Sequence, residues 1–365
     1  MNKRQILAVF AGVLSLATGI FAVRVFWFPI SAIEGSSPEP SSPNQMSPPP
    51  ETNYLAGSGR RLSGPFTRKN LTFYLIHGSD TLKGKTPMTL EEAMERKLVI
   101  VHETGEVNEL SIQNVSQSDD IFVQAGDIVK GGQQDRMLAV DLIVPARSGR
   151  IPIDSFCVES DRWTNRGRES ATEFNSSTEY APSKDLKMAA KHTRSQSEVW
   201  EKVGEAQTKL NVATNSNTTS TVSRSSLPLT MQNPKVREDS ETYAKYLEDV
   251  VPKNADVIGI VMVINGKINS ADTYGSSQLF VKLWPKLLKA AAIEAVAESS
   301  QSGQSQTTLT ANEIESFFET SENAPIVEEQ TVTDRIRLIN RESPVSVYLM
   351  TLDRGSELHR NYLTK

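Results

Sequence analysis

Apolar positions follow two rhythms along this chain. From Leu71 to Val158 they come in short runs: Leu71–Ile76, Leu98–Val101, Val107–Val115, Ile121–Ala125, Met137–Val144 and Ile151–Val158. Runs of this length, bounded by turn residues such as Arg147-Ser148-Gly149, predict strands. One short helix interrupts them, announced by the capping box Thr89-Leu90-Glu91-Glu92. Farther on the period lengthens. Val199, Val203, Ala206 and Leu210 recur at helical spacing after Ser195, and Tyr243, Leu247 and Val250 mark a helix stopped by Pro252. Leu279, Leu283 and Leu287, with Phe280, Trp284 and Leu288, trace a long buried helix side that Pro285 kinks or divides. Thr310 and Glu313 cap a helix carrying Ile314, Phe317 and Phe318.

Strands return between and after these helices. Val257–Ile264, Asn265-Gly266 and Lys267–Asp272 form the best hairpin signal in the chain, and Ile336–Ile339 and Val345–Met350 close it. The class is α+β. The expected arrangement is an antiparallel sheet or sandwich-like N-terminal half, with helices packed on it from the C-terminal half.

The first thirty residues follow neither rhythm. Lys3 and Arg4 precede Ile6–Val23, 18 residues without a charge, and apolar residues resume after Arg24. That is near the lower limit for crossing about 30 Å of hydrocarbon. The basic flank places the N-terminus in the cytoplasm and the remainder outside it, in periplasm or extracellular space. Residues 1–30 are therefore read as a transmembrane signal anchor. Cleavage near Ala17-Thr18-Gly19, giving a secreted protein, is the alternative. The Pro/Ser-rich stretch across 31–64 reads as a linker. Residues 65–365 then form a single domain, with polar loop insertions near 164–185, 213–235 and 299–309; the Ser/Thr/Asn-rich part at 213–228 reads as disordered.

Composition narrows the chemistry. With 365 residues the chain can bury a large core, and its one Cys excludes a disulfide framework or a Cys-rich zinc site. The four His are scattered without ligand spacing, so no metal or cofactor is expected. A net charge of −5 argues against nucleic acid as a partner. Gly78-Ser79-Asp80-Thr81-Leu82-Lys83-Gly84-Lys85-Thr86 resembles a phosphate-binding Walker A loop, but five residues, not four, separate its glycines. It reads as a surface loop. No nucleophile elbow is present, and Cys157 lies inside an apolar strand pattern, where a thiol is inert packing.

The most suggestive stretch runs from Gly126 to Trp163. Gly131 and Gly132 allow a sharp turn, followed by Gln134, Asp135 and Arg136; Asp141 stands among apolar residues, where a carboxylate needs a partner. Glu159 precedes Arg162 and Trp163, and Arg166 and Arg168 follow, combining a stacking surface with forked anion donors. These residues are the candidate site for a small anionic or sugar-like ligand. A tight hairpin beside a solvated basic loop would account for the same pattern.

Taken together, several segments resemble one bacterial family, that of the ARG and Rhodanese-Phosphatase-superfamily-associated Protein domain. They are Thr89-Leu90-Glu91-Glu92-Ala93, the run Ala125–Arg136, Val144-Pro145-Ala146, Phe156-Cys157-Val158-Glu159 with Arg162-Trp163, Gln196 with Val199-Trp200, Tyr274-Gly275-Ser276, Leu279-Phe280 with Leu283-Trp284-Pro285-Lys286-Leu287-Leu288, and Glu357-Leu358-His359. The resemblance spans most of Leu71–Leu363. By its name it implies association with ADP-ribosylglycohydrolase-like and rhodanese-phosphatase-like proteins, and it carries no catalytic residues to transfer. The expectation is thus a membrane-anchored domain that binds a small ligand or a protein partner. The rival is a hydrolase of an ADP-ribose-like, nucleotide-sugar or phosphate-containing ligand, with Asp135, Asp141 and Glu159 as its carboxylates. A purely structural envelope role is a third reading.

Overall fold

A computed structural model of the chain describes residues 53–54, 59–299 and 308–365. The anchor at 1–30, most of the linker and most of the loop at 299–309 lie outside these residues. All described residues belong to one compact unit. Among them, no helix is long and apolar enough to cross a membrane.

The class is α+β, built on antiparallel sheets. The largest sheet has nine strands, in the order Asn53–Tyr54, Arg61–Arg68, Leu71–His77, Val257–Ile264, Lys267–Tyr274, Ser356–Thr364, Ser346–Asp353, Ile336–Glu342 and Ile326–Thr331. Its central strands are apolar without alternation because both faces are covered. Leu71, Phe73 and Leu75 enter the main core, whereas Tyr74 and Ile76 enter a second core under the helix Ala311–Glu322. The helix Ser277–Ala297 lies in the main core, where Trp284 meets Phe73 edge-on at 5.2 Å and donates its indole N–H to the Glu248 carbonyl at 2.9 Å. Pro285 sits inside this one helix and does not divide it.

A six-stranded sheet follows the order Phe174–Asn175, Ile128–Gly131, Arg136–Leu138, Ile151–Cys157, Glu109–Asn114 and Val99–Glu103. A third sheet joins Leu142–Val144, Ile121–Val123 and Met88–Thr89.

Four expectations need correction. The sheet is not confined to the N-terminal half, because strands from both ends of the chain meet in the nine-stranded sheet. Residues 61–64 belong to a strand, not to the linker, since Leu62 is buried and pairs with Ile76. The run Met137–Val144 is two strands in different sheets, broken at Ala139–Asp141. The segment 213–235 is ordered. Asn211 accepts from both the backbone and the hydroxyl of Thr218, at 2.7 and 2.9 Å, and a helix at Leu227–Met231 buries both its end residues. Thr218, Ser226 and Thr230 bond inward, so composition alone mimicked disorder.

The break at Asp141 has a clear cause. Its carboxylate accepts from the Ala125 backbone at 2.8 Å, from Thr351 at 2.8 Å and from His359 Nδ1 at 2.7 Å. His359 Nε2 faces Asp272 at 3.0 Å, and Asn361 bridges Asp272 to Lys191 through contacts of 2.8 Å on each side. The imidazole stacks on Tyr274 at 4.5 Å. Burial works against the charged imidazole, yet its two carboxylate partners outweigh burial and raise its pKa. Burial likewise opposes ionisation of Asp141 and Asp272, and His359 outweighs it, holding both carboxyls below the usual range. This network ties the smaller sheets to the nine-stranded one.

Candidate functional site

The turn after Ile128–Gly131 is built as its glycines require. Gly131 and Gly132 have φ of 125° and 55°, and a Cβ on Gly132 would lie 2.6 Å from the Glu103 carboxylate. That close approach is used: Gln133 N–H donates to Glu103 at 3.0 Å and Gly131 N–H to Asp135 at 3.1 Å. Arg136 follows on the strand and is 0% exposed. Its guanidinium contacts Glu103 at 3.4 Å and Cys157 Sγ, and the Trp163 ring covers it at 5.4 Å.

The loop after Ile151–Cys157 completes the cluster. Arg162 grips Glu159 with two bonds, of 3.0 and 2.6 Å. Arg166 grips Asp135 with two more, of 3.1 and 3.0 Å, reaches Glu159 at 3.7 Å and bonds Glu169 at 2.9 Å. Ser226, from the segment whose polarity suggested disorder, donates to Asp135 at 3.3 Å.

The structure therefore brings together Gly131, Gly132, Asp135, Arg136, Glu159, Arg162 and Trp163. Gln134 is buried beside them with its Oε1 unbonded. Asp141 stands apart, in the His359 network. Within the cluster, burial raises the Asp135 pKa, whereas Arg162 outweighs burial at Glu159 and holds that carboxyl low. Burial pushes the Cys157 thiol up to about 11, so it carries little thiolate at neutral pH.

This arrangement is self-contained. The turn amides and all three guanidiniums are what an external anion would use, and Glu103, Asp135, Glu159 and Glu169 occupy them. The side chains of Asp135 and Glu159 are fully buried. Trp163, 46% exposed, is the cluster's face to solvent. What the geometry does here is clamp the 159–173 loop onto the sheet.

An open site lies elsewhere. A cleft of about 470 Å³ is lined by the 82–87 loop, Ser118, Asp120, Ile143, Arg335 and the turn at 353–356. Its back wall is rigid. Arg335 donates to both oxygens of Asp353 at 2.7 Å and to Asp120 at 2.8 Å, which fixes two loops on one planar group. Those hydrogen bonds raise the Arg335 pKa, so it is a permanent cation.

The rim differs from the wall. Lys83 and Arg354 are exposed and, among the described residues, make no ion pair. Arg354 holds φ of 50° and Gly355 of 80°, the two-residue turn between Ser346–Asp353 and Ser356–Thr364. Leu82, Pro87 and Ile143 supply an apolar floor. Sequence reasoning passed over these cations. Lys83 sat in a loop set aside for its wrong glycine spacing. Arg354 carried a signal, since a cation before Gly in a hairpin turn replaces the usual Asn or Asp, but one such residue does not declare a site.

Fold and site together define an α+β domain with a closed internal ion cluster and an open cleft that carries cations on its rim. The family model of the ARG and Rhodanese-Phosphatase-superfamily-associated Protein domain matches residues 59–362, and the chain belongs to that family. No curated protein and no solved structure matches the chain.

Proposed function

We propose that this is a binding domain for a small phosphate-bearing ligand, held in the cleft between Lys83 and Arg354. The observation that carries the reading is the pair of unpaired cations on the rim of a cleft of ligand size, in a protein of net charge −5. The phosphate sits between Lys83 and Arg354, Ser356 offers a hydroxyl donor, and the ligand's apolar part lies on Leu82 and Ile143. The lining residues include no His or Cys to activate a hydroxyl, and both carboxylates, Asp120 and Asp353, are engaged by Arg335. This favours binding over hydrolysis. The basic-then-apolar segment at 1–30 supports presentation of the domain from a membrane, outside the cytoplasm.

Titration calorimetry of the full chain with pyrophosphate and with glucose 6-phosphate tests the binding reading. Saturable binding is expected, weakened at least about tenfold in Lys83→Ala/Arg354→Asn, where Asn keeps the left-handed turn. Absence of binding, or equal binding by the variant, overturns it. A C-terminal reporter active only in the cytoplasm would refute the membrane orientation.

A further inference from the structure

One buried carboxylate, Glu294, makes no ion pair among the described residues. It lies on the helix Ser277–Ala297 and is 4% exposed. Its Oε1 accepts twice, from the Lys184 backbone at 3.0 Å and from Asn269 Nδ2 at 2.9 Å. Its Oε2 accepts nothing, and neither does Asn269 Oδ1, on a residue only 7% exposed. Two buried acceptor oxygens on adjacent side chains are thus left without a donor. Leaving such groups unbonded is costly, so the pair calls for a group that donates at least two hydrogens.

Both residues line a cleft of about 350 Å³ that opens past Lys184, Lys209, Lys267 and Lys365. Three of these lysines are engaged: Lys184 bonds the Thr364 carbonyl at 2.9 Å, Lys209 bonds Glu298 at 2.7 Å and Lys365 bonds Glu342 at 2.6 Å. Lys267 is exposed and, among the described residues, makes no ion pair. Ile264 and Ile268 line the same cleft. The walls therefore offer an acceptor pair at depth, a free cation at the mouth and an apolar side.

We propose that this cleft binds a free α-amino acid with an aliphatic side chain, its ammonium on Glu294 and Asn269, its carboxylate toward Lys267 and its side chain against Ile264. An ammonium supplies three donors and a positive charge, which the Glu294 carboxylate needs in a place that burial makes unfavourable for it. Asp185 and Glu298 also line the cleft, so a simple amine would find acids there but leave Lys267 unmatched, and a simple carboxylate would leave the two acceptors unbonded. A zwitterion answers both. The site is separate from the Lys83–Arg354 cleft and does not depend on the reading of that cleft.

Three probes that share a carbon skeleton decide the matter by calorimetry on the full chain: L-leucine, 4-methylpentanoate without the ammonium, and isopentylamine without the carboxylate. L-leucine is expected to bind at least about tenfold tighter than either. Glu294→Gln should weaken L-leucine at least about tenfold. Should that variant fail to fold, the exposed Lys267→Ala replaces it and should weaken L-leucine several-fold. No saturable L-leucine binding, or equal binding of the three probes, overturns the proposal. So does a carbon NMR titration showing Glu294 protonated at neutral pH whether or not L-leucine is present, since a proton shared with Asn269 would then fill the gap.

Discussion

The Gly131–Arg166 cluster and the Lys83–Arg354 cleft use the same parts: a glycine-containing turn, forked or flexible cations and nearby carboxylates. They differ in how charge is matched. In the cluster, Arg136, Arg162 and Arg166 face Glu103, Asp135, Glu159 and Glu169, mostly in buried pairs. In the cleft, Arg335 is matched by Asp120 and Asp353, while the two rim cations face solvent. A dense motif thus marks the closed region and a sparse one the open region. Arg162 is engaged by the nearby Glu159, but Arg136 is engaged by Glu103 and not by the adjacent Asp135, which Arg166 takes instead, so the cluster satisfies itself through the fold as well as through sequence proximity.

The widest gap between the two regions should appear in stability. Asp135→Ala leaves Arg166 without its forked partner and unbonds Gly131 N–H and Ser226. Breaking a buried pair by removing one partner costs about 3–5 kcal/mol, which urea unfolding measures. A loss under about 1 kcal/mol would mean the cluster does not hold the loop, and the comparison would fail. Next in size is His359→Gln, where two charge-assisted hydrogen bonds are weakened, each of a kind worth about 1.5–3 kcal/mol.

The same histidine sets a pH dependence. Its folded pKa is raised, so its stabilisation is complete below the ordinary value near 6.5 and is lost as pH rises through the folded value. Asp141 and Asp272 are depressed, so theirs is present above the ordinary value near 3.8 and is lost as pH falls through their folded values. Stability should therefore form a plateau on the acid side of neutrality. In His359→Gln the decline on the alkaline side should flatten; if both proteins lose stability equally there, His359 is not its source.

Local features of the fold were legible because they rest on local physics. Thr89 and Thr310 cap their helices with the reciprocal Glu92 and Glu313 bonds that the spacing implies, and Asn265-Gly266 makes the hairpin with φ of 51° and 75°. Cys157 is buried in its strand, as the apolar pattern implies. The need of Asp141 for a partner was readable too. That partner, His359, lies 218 residues away and was not, because no local signal encodes a long-range pair. The nine-stranded sheet escaped for the same reason, since Leu71–His77 pairs with Val257–Ile264 across about half of the chain. Asp135, Arg136, Glu159 and Arg162, grouped by sequence proximity, do lie together in space, but charge matching within the group depends on rotamers and loop path. Lys83 and Arg354 meet only through folding.

Smaller effects sharpen the contrast at the boundary of the cluster. Trp163 is half in solvent, and its ring over Arg136 is a single cation–π contact, so Trp163→Ala should cost about 0.5–2 kcal/mol. Arg162→Ala should cost more than Trp163→Ala, because it removes both bonds to a fully buried Glu159 carboxylate. Thermal melts of the two single variants rank them. If Trp163→Ala proves the more damaging, the ring is a structural lid and the cluster is closed by packing more than by charge.

The smallest stability effect belongs to the open cleft. Lys83→Ala/Arg354→Asn removes two exposed side chains that make no ion pair among the described residues, and such surface changes usually stay within about 0.5 kcal/mol. The variant should melt with the parent and differ in what it attracts. Exposed cations act through water and are screened over about 10 Å at 0.1 M salt, so phosphate binding by the parent should weaken steeply as salt rises. The residual binding of the variant should change little over the same range. A variant that melts well below the parent would show the rim cations to be part of the fold, and the two regions would then differ in degree and not in kind.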